Sequence, residues 1–167
     1  MNLELINTWT DDEAIESFTR CCGSRRWSDL MARARPYDSA AVLLETAART
    51  WWGLSKDDWL EAFGAHPRIG EIDALRARFA STAAWASREQ AGALGASEDV
   101  LNELAIGNRR YEARFGYIFI VCATGKTAEE MLELLRQRLS NEAEAEIKLA
   151  ASEQMKITLI RLERIAP

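Results

Sequence analysis

The chain has 167 residues, which suits one ordinary domain with a single core and leaves too little for two. Its 48% apolar and 28% charged residues are typical of a globular protein. Twenty-six acidic and 21 basic residues give a net charge of -5, which argues against nucleic acid or an anionic membrane as partner. No apolar run approaches the roughly 18 residues of a membrane span, so we expect no membrane contact.

The cysteines and the chain ends indicate a cytoplasmic protein. Adjacency would strain a disulfide between Cys21 and Cys22, Cys122 lies in an apolar run, and no C-x-x-C spacing occurs. Thiols in this arrangement are typical of a reducing compartment. The first residues lack the basic and apolar regions of a signal peptide, and the last three are not a peroxisomal signal.

Helical spacing of apolar residues dominates the chain. In chain order the predicted helices are Asp12 to about Arg20, Asp38 to Trp52, Glu71 to about Gln90, a helix from Ser97 to near Gly116, a helix after Thr127, and Asn141 to about Ile165. The last is the clearest, with Asn141 as predicted N-cap. Its apolar residues recur at every third or fourth position and form one stripe: Ile147, Ala151, Met155, Leu159 and Leu162.

One segment has a different pattern. Tyr117 to Cys122 is a continuous run of β-branched and aromatic residues bounded by Gly116 and Gly125. Its propensity is that of a buried strand, but no second strand is available to pair with it. We therefore predict an all-α fold, a single compact domain over residues 1–167, with about eight helices and one short extended segment near 117–123.

One motif imitates a phosphate-binding loop. Ala123 to Thr127 follows the strand-like run, precedes a helix and contains Gly-Lys-Thr. The full motif requires a glycine five positions before this tripeptide, where the chain has Ile120. The alternating strands and helices that support nucleotide binding are also missing from the pattern, so nucleotide binding is disfavoured.

His66 is the only histidine in the chain, so it cannot belong to a multi-histidine metal site. Pro67 favours extended geometry at His66, and Gly64 and Gly70 allow close approach of the backbone to a ligand. An imidazole, with an ordinary pKa of about 6.5, can exchange protons near neutral pH. A histidine in an ordinary turn is nevertheless the commoner case.

Two other polar features offer weaker signals. Glu89 and Gln90 could bind a polar heterocycle, although such residues near a helix end are usually solvated. Arg161 lies beside the apolar stripe of the last predicted helix, where a fixed guanidinium can bind a carboxylate or urea oxygen with two N–H groups. A surface arginine paired with a glutamate is the more common arrangement.

Together these segments resemble the family of 2-oxo-4-hydroxy-4-carboxy-5-ureidoimidazoline (OHCU) decarboxylases over nearly the whole chain. Each piece is modest, whereas their order and spacing together are specific. The matching segments are Arg35-Pro36-Tyr37, His66-Pro67-x-Ile69-Gly70, Glu89-Gln90-Ala91-Gly92, Asn108-x-x-Tyr111-x-x-Arg114-Phe115-Gly116, Phe119-Ile120, Arg138-Leu139-x-Asn141, Glu146, Ala150 and Arg161-Leu162.

The resemblance implies a helical, usually homodimeric enzyme without metal or organic cofactor, which converts the small molecule OHCU to (S)-allantoin in uric acid degradation. By position, His66 and Glu89 would be the catalytic pair. The substrate would bind to Pro67, Ala86, Ser87, Arg88, Gln90, the backbone of Phe119, Ile120, Val121, Cys122 and Ala123, and the Arg161 side chain. Backbone groups of an extended segment, which no helix uses, suit such a role. The clustered Trp51, Trp52 and Trp59 agree with core packing and a dimer contact.

Two positions depart from the family pattern. The family commonly has a serine three residues before the glutamate, where this chain has Ala86 and places a serine at Ser87. One residue along a helix is a rotation of about 100°, so whether Ser87 replaces the missing hydrogen bond stays open. Ile118 stands where a proline is frequent. Neither position belongs to the catalytic pair, so we expect effects on substrate affinity.

Several alternatives remain open from the sequence. His66 would either remove the substrate's hydroxyl proton or deliver the final proton to carbon. Arg161 would bind either the departing carboxylate or a ring or ureido oxygen. The alternative to an enzyme is a non-catalytic helical interaction module, in which the side chains of His66, Glu89 and Arg161 would point apart into solvent.

Overall fold

The structure is a computed structural model, and it describes residues 1–66 and 97–166. These residues contain helices and no strand, as the sequence predicts; the predicted helix from Glu71 to about Gln90 lies outside them. The helices are α1 (Leu3–Thr8), α2 (Asp11–Cys22), α3 (Arg25–Arg33), α4 (Ala40–Trp52), α5 (Lys56–Gly64), α6 (Glu98–Phe115), α7 (Ala128–Arg138) and α8 (Ala143–Leu162). Within the described ranges, none of the helices is long and apolar enough to cross a membrane.

Helices begin where the sequence supplies an oxygen acceptor for unpaired backbone N–H groups. Thr10, Ser55 and Thr127 each form a capping box with a carboxylate three residues later. The predicted helix start at Ser97 is confirmed: this residue is the N-cap of α6, and its hydroxyl accepts from the backbone N–H of Val100 at 3.3 Å. The starts of α2, α5, α6 and α7 are therefore local properties of the sequence.

The start of α8 differs from the prediction. The helix begins at Ala143, one residue later than an N-cap at Asn141 requires. The Asn141 amide instead donates to Glu146 Oε2 at 2.7 Å, so this side chain satisfies a buried carboxylate rather than the helix backbone. The predicted apolar stripe is confirmed, since Ile147, Ala151, Met155 and Leu162 are buried; Leu159, also in the stripe, is half-buried.

Residues 1–66 and 149–166 form one compact unit. Its core contains the fully buried Phe18, Trp27 and Trp51. The indole N–H of Trp27 donates to the Ala47 carbonyl at 3.1 Å, and that of Trp51 to the Ala151 carbonyl at 3.0 Å. Both rings thus bury a large apolar surface and still satisfy their polar atom.

The end of α2 is fixed by Gly23, which has a φ of 88°. This left-handed conformation favours glycine, and a Cβ at Gly23 would lie 2.5 Å from the Cβ of Ala65. Such an approach is possible only without a side chain. It brings the residue that precedes His66 against the end of α2, where the last helical carbonyls lack partners within the helix.

The second unit is described over residues 97–148. Here α6 packs on α7 so closely that a Cβ at Gly107 would lie 2.6 Å from Leu135 Cδ2. Residues 118–123 between these helices belong to neither a helix nor a strand. Phe119, Ile120 and Val121 are buried there, which agrees with the predicted extended stretch inside a helical fold.

A buried ion pair anchors this segment. Arg138 donates from Nε to Glu146 Oε1 at 2.8 Å and from Nη1 to the Ile120 carbonyl at 2.6 Å. Its guanidinium also lies 4.6 Å from the centroid of the Phe119 ring. The Tyr111 hydroxyl donates to the same Glu146 oxygen, and burial raises the pKa of this phenol above its ordinary range. The carboxylate and the guanidinium therefore compensate each other away from water.

We predict that Arg138→Met lowers the free energy of unfolding by about 3–5 kcal/mol, because it leaves the fully buried Glu146 without its cation. Arg136→Met on the same helix is the matched control. Arg136 pairs with Glu103 in the open, where both side chains are about half exposed, and its loss should cost about 1 kcal/mol or less. Denaturant unfolding followed by circular dichroism measures both values, and equal losses would contradict the assignment.

Candidate active site

His66 lies directly after α5, where its backbone N–H donates to the Phe63 carbonyl at 3.2 Å. Its ring nitrogen Nε2 is 2.5 Å from Oε1 of Gln154, a residue 88 positions away on α8. Gln154 is fully buried. The imidazole is thus fixed from one side by a side chain that cannot turn to solvent.

The other end of the Gln154 amide is also bound. Its Nε2 donates to the Cys22 carbonyl at 3.1 Å and to the Thr158 hydroxyl at 3.3 Å. The Thr158 hydroxyl in turn donates to the backbone carbonyl of Gln154 at 3.0 Å. A continuous set of hydrogen bonds therefore connects His66 to the end of α2, and each polar atom in it has a partner.

Arg161 also forms a hydrogen bond with the end of α2. Its Nη1 donates to the Cys21 carbonyl at 3.1 Å, although the residue as a whole is exposed. Gln154, Thr158 and Arg161 follow one another at spacings of four and three, which puts them on one face of α8. Two of the predicted site residues, His66 and Arg161, are therefore both connected to the carbonyls at the end of α2.

The two thiols beside these carbonyls are buried. Burial raises the pKa of Cys21 to about 11, against an opposing effect of Arg161, and raises that of Cys22 to about 12. Both are protonated at neutral pH, and a protonated thiol is a poor nucleophile. Cys21 and Cys22 form no disulfide, as predicted, and they contribute backbone carbonyls to the candidate site.

The predicted backbone-binding segment, Phe119 to Ala123, lies in the second unit. Two of its carbonyls already accept hydrogen bonds, Ile120 from Arg138 at 2.6 Å and Cys122 from the Lys126 ammonium at 2.9 Å. A carbonyl oxygen has two lone pairs, so these contacts orient the segment and still permit a ligand. Neither contact could be read from the sequence.

The residues that imitate a phosphate-binding loop make hydrogen bonds within the chain. Lys126 points its ammonium at the Cys122 carbonyl, and the Thr127 hydroxyl accepts from the Glu130 N–H at the start of α7. Both side chains therefore make contacts within the chain.

The remaining predicted site residues lie outside the described residues. They are Pro67, Ala86, Ser87, Arg88, Glu89 and Gln90. The described part of the site consequently contains the imidazole and the guanidinium, together with Gln154, which the sequence analysis missed. A signal for it existed, since polar residues at 154, 158 and 161 run along one helical face beside the apolar stripe.

Comparison with known proteins points to one family. The model of the OHCU decarboxylase family matches residues 7–163. The uric acid degradation bifunctional protein TTL of Arabidopsis thaliana is 38% identical over 148 residues, covering 87% of this chain and 45% of that protein. The 2-oxo-4-hydroxy-4-carboxy-5-ureidoimidazoline decarboxylase of Haloferax volcanii is 24% identical over 163 residues, covering 97% of this chain and 94% of that protein. The chain thus spans less than half of the bifunctional relative.

Solved structures agree with this result. An OHCU decarboxylase crystallised in the presence of (S)-allantoin superimposes with a TM-score of 0.74 at 34% identity, covering 93% of this chain and 97% of that one. An (S)-allantoin synthase structure gives a TM-score of 0.75 at 17% identity, covering 100% of this chain and 54% of that one, and supports the fold alone.

We predict that Cys21 and Cys22 react with iodoacetamide far more slowly in the native protein than in denaturant at pH about 8. Raising a thiol pKa from 9.0 to about 11 lowers the thiolate fraction about 100-fold, and burial adds steric protection. Peptide mass spectrometry after timed alkylation measures both rates. Ser140→Cys, at an exposed position of the native fold, supplies the fast control. Comparable rates at Cys21, Cys22 and the introduced thiol would disprove the description.

Proposed function

Because the chain belongs to the OHCU decarboxylase family, we propose that it converts OHCU to (S)-allantoin and carbon dioxide in uric acid degradation. The observation that carries the proposal is the connection of His66, through the buried Gln154, to the helix end that also binds Arg161. A non-catalytic interaction module does not require a buried hydrogen-bond network that fixes an imidazole.

The reaction breaks the bond between a ring carbon and its carboxylate. The bonding electrons stay with the ring and spread into the adjacent carbonyl or imine, while carbon dioxide leaves. A proton is then added to carbon from one face, which yields a single enantiomer. A protein accelerates such a reaction with fixed hydrogen-bond donors where negative charge grows and with a group that transfers protons.

His66 is the group proposed to transfer protons, and Glu89 is its proposed partner. Among side chains, imidazole combines an ordinary pKa near neutrality with a donor and an acceptor nitrogen. The proposed substrate contacts are Arg161, Pro67, the segment Ala86 to Gln90, and the backbone of Phe119 to Ala123. No step in this scheme draws on a metal or an organic cofactor.

Arg161 is proposed to bind a ring or ureido oxygen. A guanidinium on the departing carboxylate would stabilise a charge that disappears in the transition state and would oppose the reaction. On an oxygen that gains charge, it stabilises the transition state more than the substrate. Anchoring through Nη1 to the Cys21 carbonyl fixes the guanidinium and leaves further N–H donors for such an oxygen.

We also propose a cytoplasmic homodimer, with the chain acting as one domain. The adjacent thiols of Cys21 and Cys22 suit a reducing compartment. Trp52 is 48% exposed on α4, which favours coverage of this helix by a second copy.

His66→Asn should lower kcat by about 100-fold or more, because the proton-transferring ring is lost. OHCU is generated in the cuvette from urate with urate oxidase and hydroxyisourate hydrolase, and the circular dichroism of allantoin reports the product. Far-ultraviolet dichroism checks that the variant is folded. Near-normal turnover by a folded His66→Asn protein would remove His66 from the mechanism.

Arg161→Leu should lower kcat and kcat/KM together, and Arg161→Lys should do so less severely because it keeps the charge but loses the planar fork. Arg164→Leu, at an exposed arginine just beyond α8, is the matched control and should leave both parameters within about twofold. A raised KM with unchanged or higher kcat in Arg161→Leu would instead place the guanidinium on the carboxylate.

A further inference from the structure

We infer that Gln154 is a positioning residue that holds the neutral ring of His66 as the Nε2–H tautomer, so that the ring gains and loses its catalytic proton at Nδ1. The part about catalysis rests on the proposed function. The tautomer itself is a property of the protein without substrate, and it follows from three hydrogen bonds of the Gln154 amide and one of the Thr158 hydroxyl.

The first step is the orientation of the Gln154 amide. The atom 3.1 Å from the Cys22 carbonyl must be the NH₂ group, because two oxygens without a hydrogen between them repel each other. The contact with Thr158 agrees, since that hydroxyl gives its hydrogen to the Gln154 backbone carbonyl and offers a lone pair to the amide. The neighbouring carbonyl and hydroxyl therefore require this orientation of the amide.

The orientation of the Gln154 amide determines which nitrogen of the His66 ring carries the hydrogen. With its NH₂ group directed at Cys22 and Thr158, the amide presents Oε1 to His66 at 2.5 Å. A carbonyl oxygen accepts and cannot donate, so His66 Nε2 must carry a hydrogen. In the neutral ring the basic lone pair is then on Nδ1. In the protonated ring Nε2 keeps the same hydrogen bond, so only the Nδ1 proton changes.

Burial opposes a change to the other tautomer of His66. Gln154 is fully buried, and Cys22 and Thr158 are each 1% exposed, so water cannot replace a broken contact. Moving the ring hydrogen to Nδ1 would place the Nε2 lone pair against the Gln154 oxygen and leave a buried acceptor unsatisfied. In serine proteases, a wrong histidine tautomer lowers the rate by about 10⁴-fold, which shows how strongly a tautomer can matter.

The test uses the fact that His66 is the only histidine, so imidazole ¹⁵N signals come from this residue alone. The full chain is labelled with ¹⁵N-histidine and studied at pH about 9, well above the ordinary imidazole pKa of about 6.5. Two-bond proton–nitrogen correlations identify each nitrogen by its couplings to the carbon-bound ring protons. We expect a protonated Nε2 and an unprotonated Nδ1. A protonated Nδ1 in the unaltered protein overturns the inference without any variant.

Variants connect the tautomer to catalysis. Gln154→Met preserves approximate volume but removes the acceptor, and we expect mixed tautomers with kcat lowered about tenfold or more and KM within about twofold. Thr158→Val removes one of the two acceptors that orient the amide and should shift both readouts in the same direction by less. Gln137→Met, the same substitution at an exposed position of α7, should change neither.

The outcomes separate the two proposals. An unchanged tautomer and unchanged kcat in folded Gln154→Met overturn the positioning role. Full activity in His66→Asn overturns the proposed function of His66, while the ¹⁵N spectrum of the unaltered protein still decides the tautomer. Should Gln154→Met fail to fold, the unaltered protein and Thr158→Val remain sufficient to decide.

Discussion

The end of α2 is the constraint on which the candidate site depends. A helix leaves its last carbonyls without partners, and those of Cys21 and Cys22 receive their hydrogen bonds from Arg161 and Gln154. Gly23 makes this end sharp and lets Ala65 approach it. The same contacts that satisfy buried backbone therefore fix the guanidinium and, through one amide, the imidazole. Folding and site geometry therefore depend on the same hydrogen bonds.

Each of the two described units contains buried polar side chains, but they differ in charge. In one, Arg138 and Glu146 carry full charges that compensate each other and orient the segment around Ile120. In the other, the group that faces His66 is a neutral amide. A carboxylate at that position would favour the charged imidazolium, whereas a carbonyl oxygen fixes the hydrogen position with a smaller effect on the charge. An amide thus suits the role proposed for His66, which requires both protonation states of the ring.

Much of the helical framework was predictable because its causes are local. The helices expected from Ser97 and after Thr127 begin directly after those residues, and the apolar stripe of α8 is buried at most of its positions. Asn141 was not predictable in the same way, because a distant requirement, the buried carboxylate of Glu146, competes for its amide. Local patterns cannot rank such competing partners.

The site was predictable only in part. Resemblance supplied His66 and Arg161 as candidates, while Gln154 belongs to no motif and its significance comes from burial against α2 and α5. A glutamine in the middle of a helix is ordinarily a solvent-exposed residue. Only the tertiary structure shows that this one lies between a helix end and an imidazole.

The hydrogen bonds at the end of α2 also set an order of events during protein synthesis. They join residues 132 and 140 positions apart, and the contact with His66 spans 88 positions. Contacts so distant in sequence require closure of long loops and form late. On the ribosome, α2 and α5 emerge well before α8 has been made. Until then the carbonyls of Cys21 and Cys22 must be hydrated, and the imidazole of His66 lacks its contact with the Gln154 amide. This part of the site therefore forms only after translation has passed Arg161.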